Sequence, residues 1–523
     1  MKKYWFIVFL CLCLLVSGCA AKNPAQTPDA TAPSTEAFAP DVETIPGSEH
    51  VDVNNDGRCD DCNEIVVVNV DIFNINDLHG KIADGDNHPG VDELTTYLKR
   101  EMELNDHVVL LSSGDMWQGA AASNLTQGLI VTDWMNAMGF EAMAVGNHEY
   151  DWGSDPIVTN DEQAEFPILA INVYDRATNT RVDYCGASTM IERGGIQIGI
   201  IGAIGDCYSS ISGDKVTDIY FKTGADLTRL VKAESQALRE AGADYIIYIL
   251  HDGYEQSTGN SVKNVHGRQL KYYYDIELSD GYVDLVFEGH THQRYILKDE
   301  YGVYHLQAGG DNQGMSHVEI SFNTANGNTK TRFTELVNTG TYANMEDDPI
   351  VEQLMEKYHE QIAISTKVLG QNAAFRSSGE LCQLIAQLYY EKGMELWGEE
   401  YDIVLGGGFI SARSPYTLPE GDVMYGDLQN IFPFDNNLVL CSVQGRDLRE
   451  KFFETDNDRY YIAYGDYGKK VRSQIDPDAT YYIVVDSYTS IYGPNHLTEV
   501  ARLEDKIYAR DLLAEYAQEG GFN

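Results

Sequence analysis

Residues 65–79 read IVVVNVDIFNINDLH, an apolar and largely β-branched run that ends in Asp77 and His79. Val and Ile fit a pleated, buried surface, so the run predicts a core strand over 65–75. The same grammar recurs along the chain. Strands are predicted over 108–111, 142–145, 245–250 and 283–287, and each runs into residues that seldom follow a strand by accident. Asp115 closes Ser113-Gly114-Asp115, and Asn147 and His148 stand in Gly146-Asn147-His148-Glu149. His251 follows Leu250, and His290 and His292 stand in Gly289-His290-Thr291-His292. Further strands are predicted over 168–171, 196–201, 303–307 and 317–322, a polar stretch over 323–328, and helices over 91–104 and 225–241. Strands alternating with helices predict an α/β fold, and five strand ends then carry metal-competent side chains to one sheet edge, where open α/β sheets place their sites.

The spacings have a physical reading. Residues two apart in extended chain point to the same side, so Asp77 with His79, and His290 with His292, can each converge on one centre. The seven side chains Asp77, His79, Asp115, Asn147, His251, His290 and His292 comprise two carboxylates, one amide and four imidazoles. Such a set suits two divalent cations, about 3.5–4 Å apart, if one carboxylate bridges them, and Asp115 is the candidate bridge. A lone Asp-x-His or His-x-His is usually loop decoration; all of them together, in order at strand ends, are not. His88, His107, His266, His305, His317, His359 and His496 lack such placement and read as structural or surface residues, with His266 a further candidate for lining the cleft.

These motifs, in this order, resemble the calcineurin-like metallophosphoesterases, and within them the 5'-nucleotidase family, from about Val66 to the C-terminus. The resemblance implies a four-layer β-sandwich flanked by helices over 65–340 and a smaller α/β substrate-binding domain over 366–523, and the apolar spacing of 345–364 predicts one amphipathic helix within the linker 341–365 between them. It implies one metal on Asp77, His79, Asp115 and His292, and another on Asp115, Asn147, His251 and His290. His148 becomes the catalytic imidazole near the leaving group, with Asp151 orienting it. The ions are expected to be Zn, Mn, Fe or Co, since His, Asp and Asn accept all four.

The resemblance further implies that the second domain supplies arginines for charged groups and two rings that sandwich a base. Residues 405–413, LGGGFISAR, resemble the family's glycine-rich segment, although the usual Asn is missing and Arg413 arrives late. Phe434, in Phe432-Pro433-Phe434-Asp435-Asn436, is the first stacking candidate. Arg376 is a candidate second anion clamp. The family's aromatic residue before a Gly-Gly-Asp turn is replaced by Tyr488 to Asn495, so either Tyr488 or Tyr492 supplies the second ring. The bland alternative is that these rings pack a core.

The chain has 523 residues, enough for two domains, and a formal net charge of -44 from 37 basic and 81 acidic residues. That charge argues against a nucleic-acid polymer as partner and leaves bound metal as the positive centre for a phosphate ester. Lys2 and Lys3, the apolar stretch Tyr4 to Val16, and Ser17-Gly18-Cys19 read as an export signal over 1–18. They resemble a bacterial lipobox, which implies a lipid on Cys19 and an extracytoplasmic body held at the cell membrane. A polar tether follows within 19–64. Inside it, His50, Asp52, Asn54, Asp56, Gly57, Cys59, Asp60 and Cys62 imitate the first half of a calcium loop, though Asn63 takes the twelfth position. A small calcium or zinc knot over 50–62 and a solvated linker with a Cys59–Cys62 bridge or two free thiols are both open.

The expected activity is therefore dinuclear metal-dependent hydrolysis of phosphate esters by a monomer, with extracellular nucleotides, nucleotide sugars or diphosphates as substrates. The alternatives are a 2',3'-cyclic-nucleotide phosphodiesterase, a hydrolase of a non-nucleotide ester, and a surface binding protein that has lost catalysis.

Overall fold

The computed structural model describes residues 50–84, 89–256, 262–264, 282–299, 301–410, 412–413, 416–451, 462–464, 475–492, 497–503 and 506–523. The expected leader, Cys19, most of the tether, His88, His266 and His496 lie outside them. Two six-stranded sheets form the first domain. One runs in the order 329–338, 314–323, 67–75, 108–112, 142–144 and 168–169; the other in the order 294–298, 304–308, 285–288, 245–251, 196–204 and 188–193. Strands 67–75, 108–112, 142–144 and 168–169 are mutually parallel, as are 196–204, 245–251, 285–288 and 304–308.

Buried side chains explain the layering. Val70, Ile72, Val109, Leu111 and Leu169 of the first sheet meet Ile198, Ile200, Ile247, Ile249 and Phe287 of the second in one apolar cluster. The opposite faces are apolar too: Phe73, Ile75 and Leu110 pack with Leu94, Leu98 and Trp134 of helices Asp92–Leu104 and Leu129–Met138, and Ile246 and Tyr248 pack with Leu227 and Val231 of helix Ala225–Glu240. Strands that are apolar on both sides demand cover on both, and helix, sheet, sheet, helix is the result. A five-stranded sheet in the order 462–464, 403–408, 480–486, 438–444 and 498–502 forms the smaller α/β unit.

One expectation gains detail and one changes. The polar stretch 323–328 is the turn of a hairpin joining strands Gly314–Asn323 and Thr329–Asn338. The single linker helix over 341–365 is instead broken into Thr339–Thr341, Ile350–Lys357, His359–Ile362 and Ala363–Thr366. Pro349 disfavours helix at Asp348 and starts the first α-helix, while Tyr358 leaves helical geometry and sends its hydroxyl 2.7 Å to Asp133. The six cysteines of the described part are free thiols.

One partly buried charge cluster makes a testable contribution to stability. His317 lies between Asp71, 2.8 Å from Nε2, and Glu335, 3.2 Å from Nδ1, with its ring stacked on Phe73. Burial opposes a charge on His317, but the two carboxylates outweigh it and raise its pKa. Burial likewise opposes the charge on Asp71, and His317 and Asn105 outweigh it and lower the pKa. The Asp71 contribution is lost as pH falls below the carboxylate range, and the His317 contribution is lost as pH rises through its elevated pKa. His317→Gln is therefore expected to cost about 1 kcal/mol near pH 5–6, with the difference in Tm from the parent shrinking by pH 9. A Tm difference that does not change with pH would show that the cluster carries no charge of consequence.

Candidate metal centre

The loops after the parallel strands gather the seven sequence-derived candidates. Asp77 and His79 follow strand Val67–Ile75, and Asp115 follows Val108–Ser112. Their loops are cross-pinned by backbone bonds from Asp77 N–H to the Gly114 carbonyl and from His79 N–H to the Asp115 carbonyl, 3.0 and 3.1 Å. Five of the seven, Asp77, His79, Asp115, His290 and His292, have φ between 51° and 71°. Non-glycine residues rarely hold that left-handed conformation, and its concentration here means surrounding bonds fix the loops against their local preference. Gly146 shows how close the loops run, because a Cβ there would collide with Asp115 Oδ1.

The donor atoms fall into two joined sets. Asp77, His79 and His292 form one, with the two imidazole Nε2 atoms 3.0 Å apart and His292 Nε2 3.4 Å from Asp77 Oδ1. Asn147 Oδ1 lies 3.1 Å from His251 Nε2 and 2.7 Å from His290 Nδ1, and His251 Nε2 lies 3.1 Å from Asp115 Oδ2. Asp77, Asp115 and His251 also converge, so Asp77 stands in both sets and the carboxylates together link them.

The hydrogen bonding behind the rings tests whether cations fit. His79 Nδ1 faces the Gln118 carbonyl at 2.8 Å, and His251 Nδ1 faces the Ser113 carbonyl at 2.7 Å. Each outer nitrogen therefore carries the proton, as behind a metal-bound imidazole, and each Nε2 turns a lone pair inward. These inward nitrogens face carboxylates, the Asn147 amide oxygen and one another, a donor set that a cation would satisfy. Without one, burial opposes charge on His251 but Asp115 outweighs it and pushes the ring up to about 10. Burial, aided by His251, takes His290 down to about 3. Burial, aided by Arg413 and His292, holds His79 well below the usual imidazole range.

His148 sits beside this set without joining it. Its N–H donates to Asp115 Oδ1 at 2.9 Å, and its Nδ1 meets Asp151 Oδ2 at 2.8 Å, so neither bond uses Nε2. Burial opposes a charge on the ring, but Asp151 and Asp115 outweigh it and raise its pKa. The ring stacks on Phe434 of the smaller domain at 5.7 Å, and the Arg413 guanidinium lies 6.0 Å from that Phe434 ring. Arg376 is elsewhere: its guanidinium lies over Phe522, and its Nε reaches Asn372. Tyr488 meets Phe409 edge-on at 6.3 Å, and Tyr492 closes helix Ser487–Tyr492 with its side chain outside the described part.

Several contributors escaped the sequence reading. Glu149 is fully buried, and its carboxylate accepts the backbone N–H groups of Asp115, Met116, Trp117 and Gly146. Burial and the Asp115 charge push Glu149 up to about 7, against the pull of those amides. The Cys207 thiol donates to the His251 carbonyl at 2.9 Å and groups with His251 and His290. Lys81, also buried, donates to the Tyr416 hydroxyl of the smaller domain and lies 3.7 Å from Asp311. Only Glu149 had a signal in sequence, its place directly after Asn147 and His148.

Residues 71–294 match the calcineurin-like phosphoesterase family, and residues 361–497 match the 5'-nucleotidase C-terminal domain. The chain is 25% identical over 469 residues to endonuclease YhcR of Bacillus subtilis, which covers 80% of this chain and 36% of that protein. It is 23% identical to protein UshA of Yersinia enterocolitica, covering 82% and 86% of the two chains. It is 25% identical to the apyrase of Tabanus yao, covering 73% and 72%. The fold matches the 5'-nucleotidase precursor of Thermus thermophilus with a TM-score of 0.64 at 19% identity, covering 86% of this chain and 96% of that one.

Proposed function

Because the chain joins a calcineurin-like phosphoesterase domain to a 5'-nucleotidase C-terminal domain, we propose that it hydrolyses nucleotide phosphate esters with two divalent cations held on the seven gathered side chains. The observation that carries the reading is the pair of inward-facing donor sets linked by Asp77 and Asp115, with His148 alongside. Asp77, His79 and His292 hold one cation, and Asn147, His251 and His290 hold the other, with Asp115 shared. A bound cation pair supplies positive charge for phosphate oxygens and lowers the pKa of water to near neutrality.

The chain's own residues do the rest. Glu149 accepts the Asp115 amide and Asp115 accepts the His148 amide, so the leaving-group imidazole is held in place before substrate arrives. Asp151 keeps a proton on His148 Nδ1, which leaves Nε2 to stabilise or protonate the departing oxygen. Phe434 offers a ring face beside His148, and Arg413 offers a cation, a combination that suits a nucleotide's base and phosphate better than a bare sugar phosphate. The apolar leader before Cys19 supports a lipid-anchored enzyme acting outside the cytoplasm, and among the described residues no helix is long and apolar enough to cross a membrane.

Substrate class is tested by relative kcat/KM on AMP, UDP-glucose, 2',3'-cyclic AMP and p-nitrophenyl phosphate, with metal content measured on the same preparation. A preference of about tenfold or more for a 5'-nucleotide over p-nitrophenyl phosphate is expected, and preference for the cyclic nucleotide would overturn the substrate reading. Asp151→Asn is expected to lower kcat by about 10- to 100-fold with KM little changed, because the imidazole loses its orientation while the metal ligands stay. An equal loss on p-nitrophenyl phosphate, whose leaving group needs no proton, would contradict the role given to His148.

A further inference from the structure

We infer that His50, Cys59 and Cys62 form a second, separate metal site that takes zinc and closes the loop over residues 50–62. The imidazole and both sulfurs offer atoms that all lie within 4.8 Å of one another. His50 Nδ1 is 3.4 Å from Cys62 Sγ. A zinc ion about 2.3 Å from sulfur and 2.0–2.1 Å from nitrogen, with tetrahedral angles, separates those two donors by about 3.5 Å, so zinc fits between them with little movement of the loop.

The surroundings point the same way. Glu64 Oε2 lies 3.5 Å from His50 Nε2, behind the ring, where a carboxylate orients a metal-bound imidazole. Backbone amides turn toward the sulfurs, those of Val51 and Cys62 toward Cys59 and that of Glu64 toward Cys62. The left-handed Asn63 returns the chain so that Cys59 N–H reaches the Glu64 carbonyl at 2.8 Å and Asn63 N–H reaches the Cys59 carbonyl at 2.7 Å. Two thiolates and an imidazole select zinc over calcium or magnesium, and the fourth position is left to water.

The oxygen-bearing half of the loop has a different task. Asp52 is buried and accepts from Gly57 N–H at 2.9 Å and from the Asn323 side chain at 2.6 Å. The Asn326 amide reaches the Asp52 carbonyl and Asn55 Oδ1, and Thr324 N–H reaches the Val66 carbonyl. These bonds fasten the loop to the hairpin turn Asn323–Asn328. Zinc would close the other side of the same small loop.

Cobalt(II) substituted into the purified full chain gives the test, since thiolate-to-cobalt charge transfer reports sulfur ligation and the seven-residue centre has none. The expected result is a near-ultraviolet band whose final intensity is that of one thiolate-ligated cobalt per chain and which is lost in Cys59→Ser/Cys62→Ser, while release of phosphate from AMP is unchanged. A band that survives in that variant would belong to Cys207 and would overturn the proposal, as would absence of a band from the parent. A measurement on the unaltered chain guards against a variant that fails to fold. Alkylation of Cys62, mapped by peptide mass, is expected to slow about tenfold or more on adding zinc after chelation. Equal rates, or a Cys59–Cys62 disulfide in the isolated protein, would overturn it.

Discussion

Asp115→Ala is expected to lower kcat/KM by about 10³-fold or more, a loss of roughly 4 kcal/mol in transition-state stabilisation. Asp115 is buried beside His251, anchors the His148 amide, and converges with Asp77. On the proposed reading its loss removes a shared ligand and frees the leaving-group imidazole together, so the effect exceeds that of a single ligand to one ion. Metal bound at this centre is expected to fall from about two equivalents to one or fewer. Asp77→Ala provides the comparison, because Asp77 stands in both donor sets: the substitution that weakens both ions identifies the bridge. Near-parent activity of Asp115→Ala at saturating manganese would refute the assignment.

Glu149→Ala is expected to be the most destabilising substitution at the site, by about 3–5 kcal/mol, with a fall in Tm of roughly 5–10 °C. Four backbone N–H groups converge on this one carboxylate, and two of them belong to Asp115 and Gly146, on separate loops. Removing it leaves four buried donors without an acceptor, each costing about 1–3 kcal/mol before relaxation. Glu149→Gln is expected to recover little, because its amide NH₂ would confront two of those donors. Thermal unfolding with the metal chelated measures the effect apart from ligand binding. A Tm within about 1 °C of the parent would show that water replaces the carboxylate at small cost.

The sequence displayed the strand ends because each motif combines a local apolar run with residues of rare chemistry, and both properties are visible within ten positions. The order in which strands pair was hidden, since register depends on partners far apart, such as Val67 with Asn323. So was the left-handed backbone of five candidate ligands, which tertiary bonds impose against local preference. Glu149, Cys207 and Lys81 could not be weighted because their partners are backbone amides, a carbonyl and a tyrosine hydroxyl of the other domain. The linker read as one amphipathic helix because its apolar spacing is continuous, while Pro349 and the tie from Tyr358 to Asp133 act against that pattern. In the smaller domain, motif likeness brought Phe434 and Arg413 beside His148 but put Arg376 among candidates when it packs on Phe522.

Anomalous diffraction from crystals grown with manganese, collected at the metal's absorption edge, tests the central claim most directly. Two peaks about 3.5–4 Å apart are expected, one against Asp77, His79 and His292, the other against Asn147, His251 and His290, with Asp115 between them. A single peak, or peaks absent from these side chains in active crystals, would contradict it.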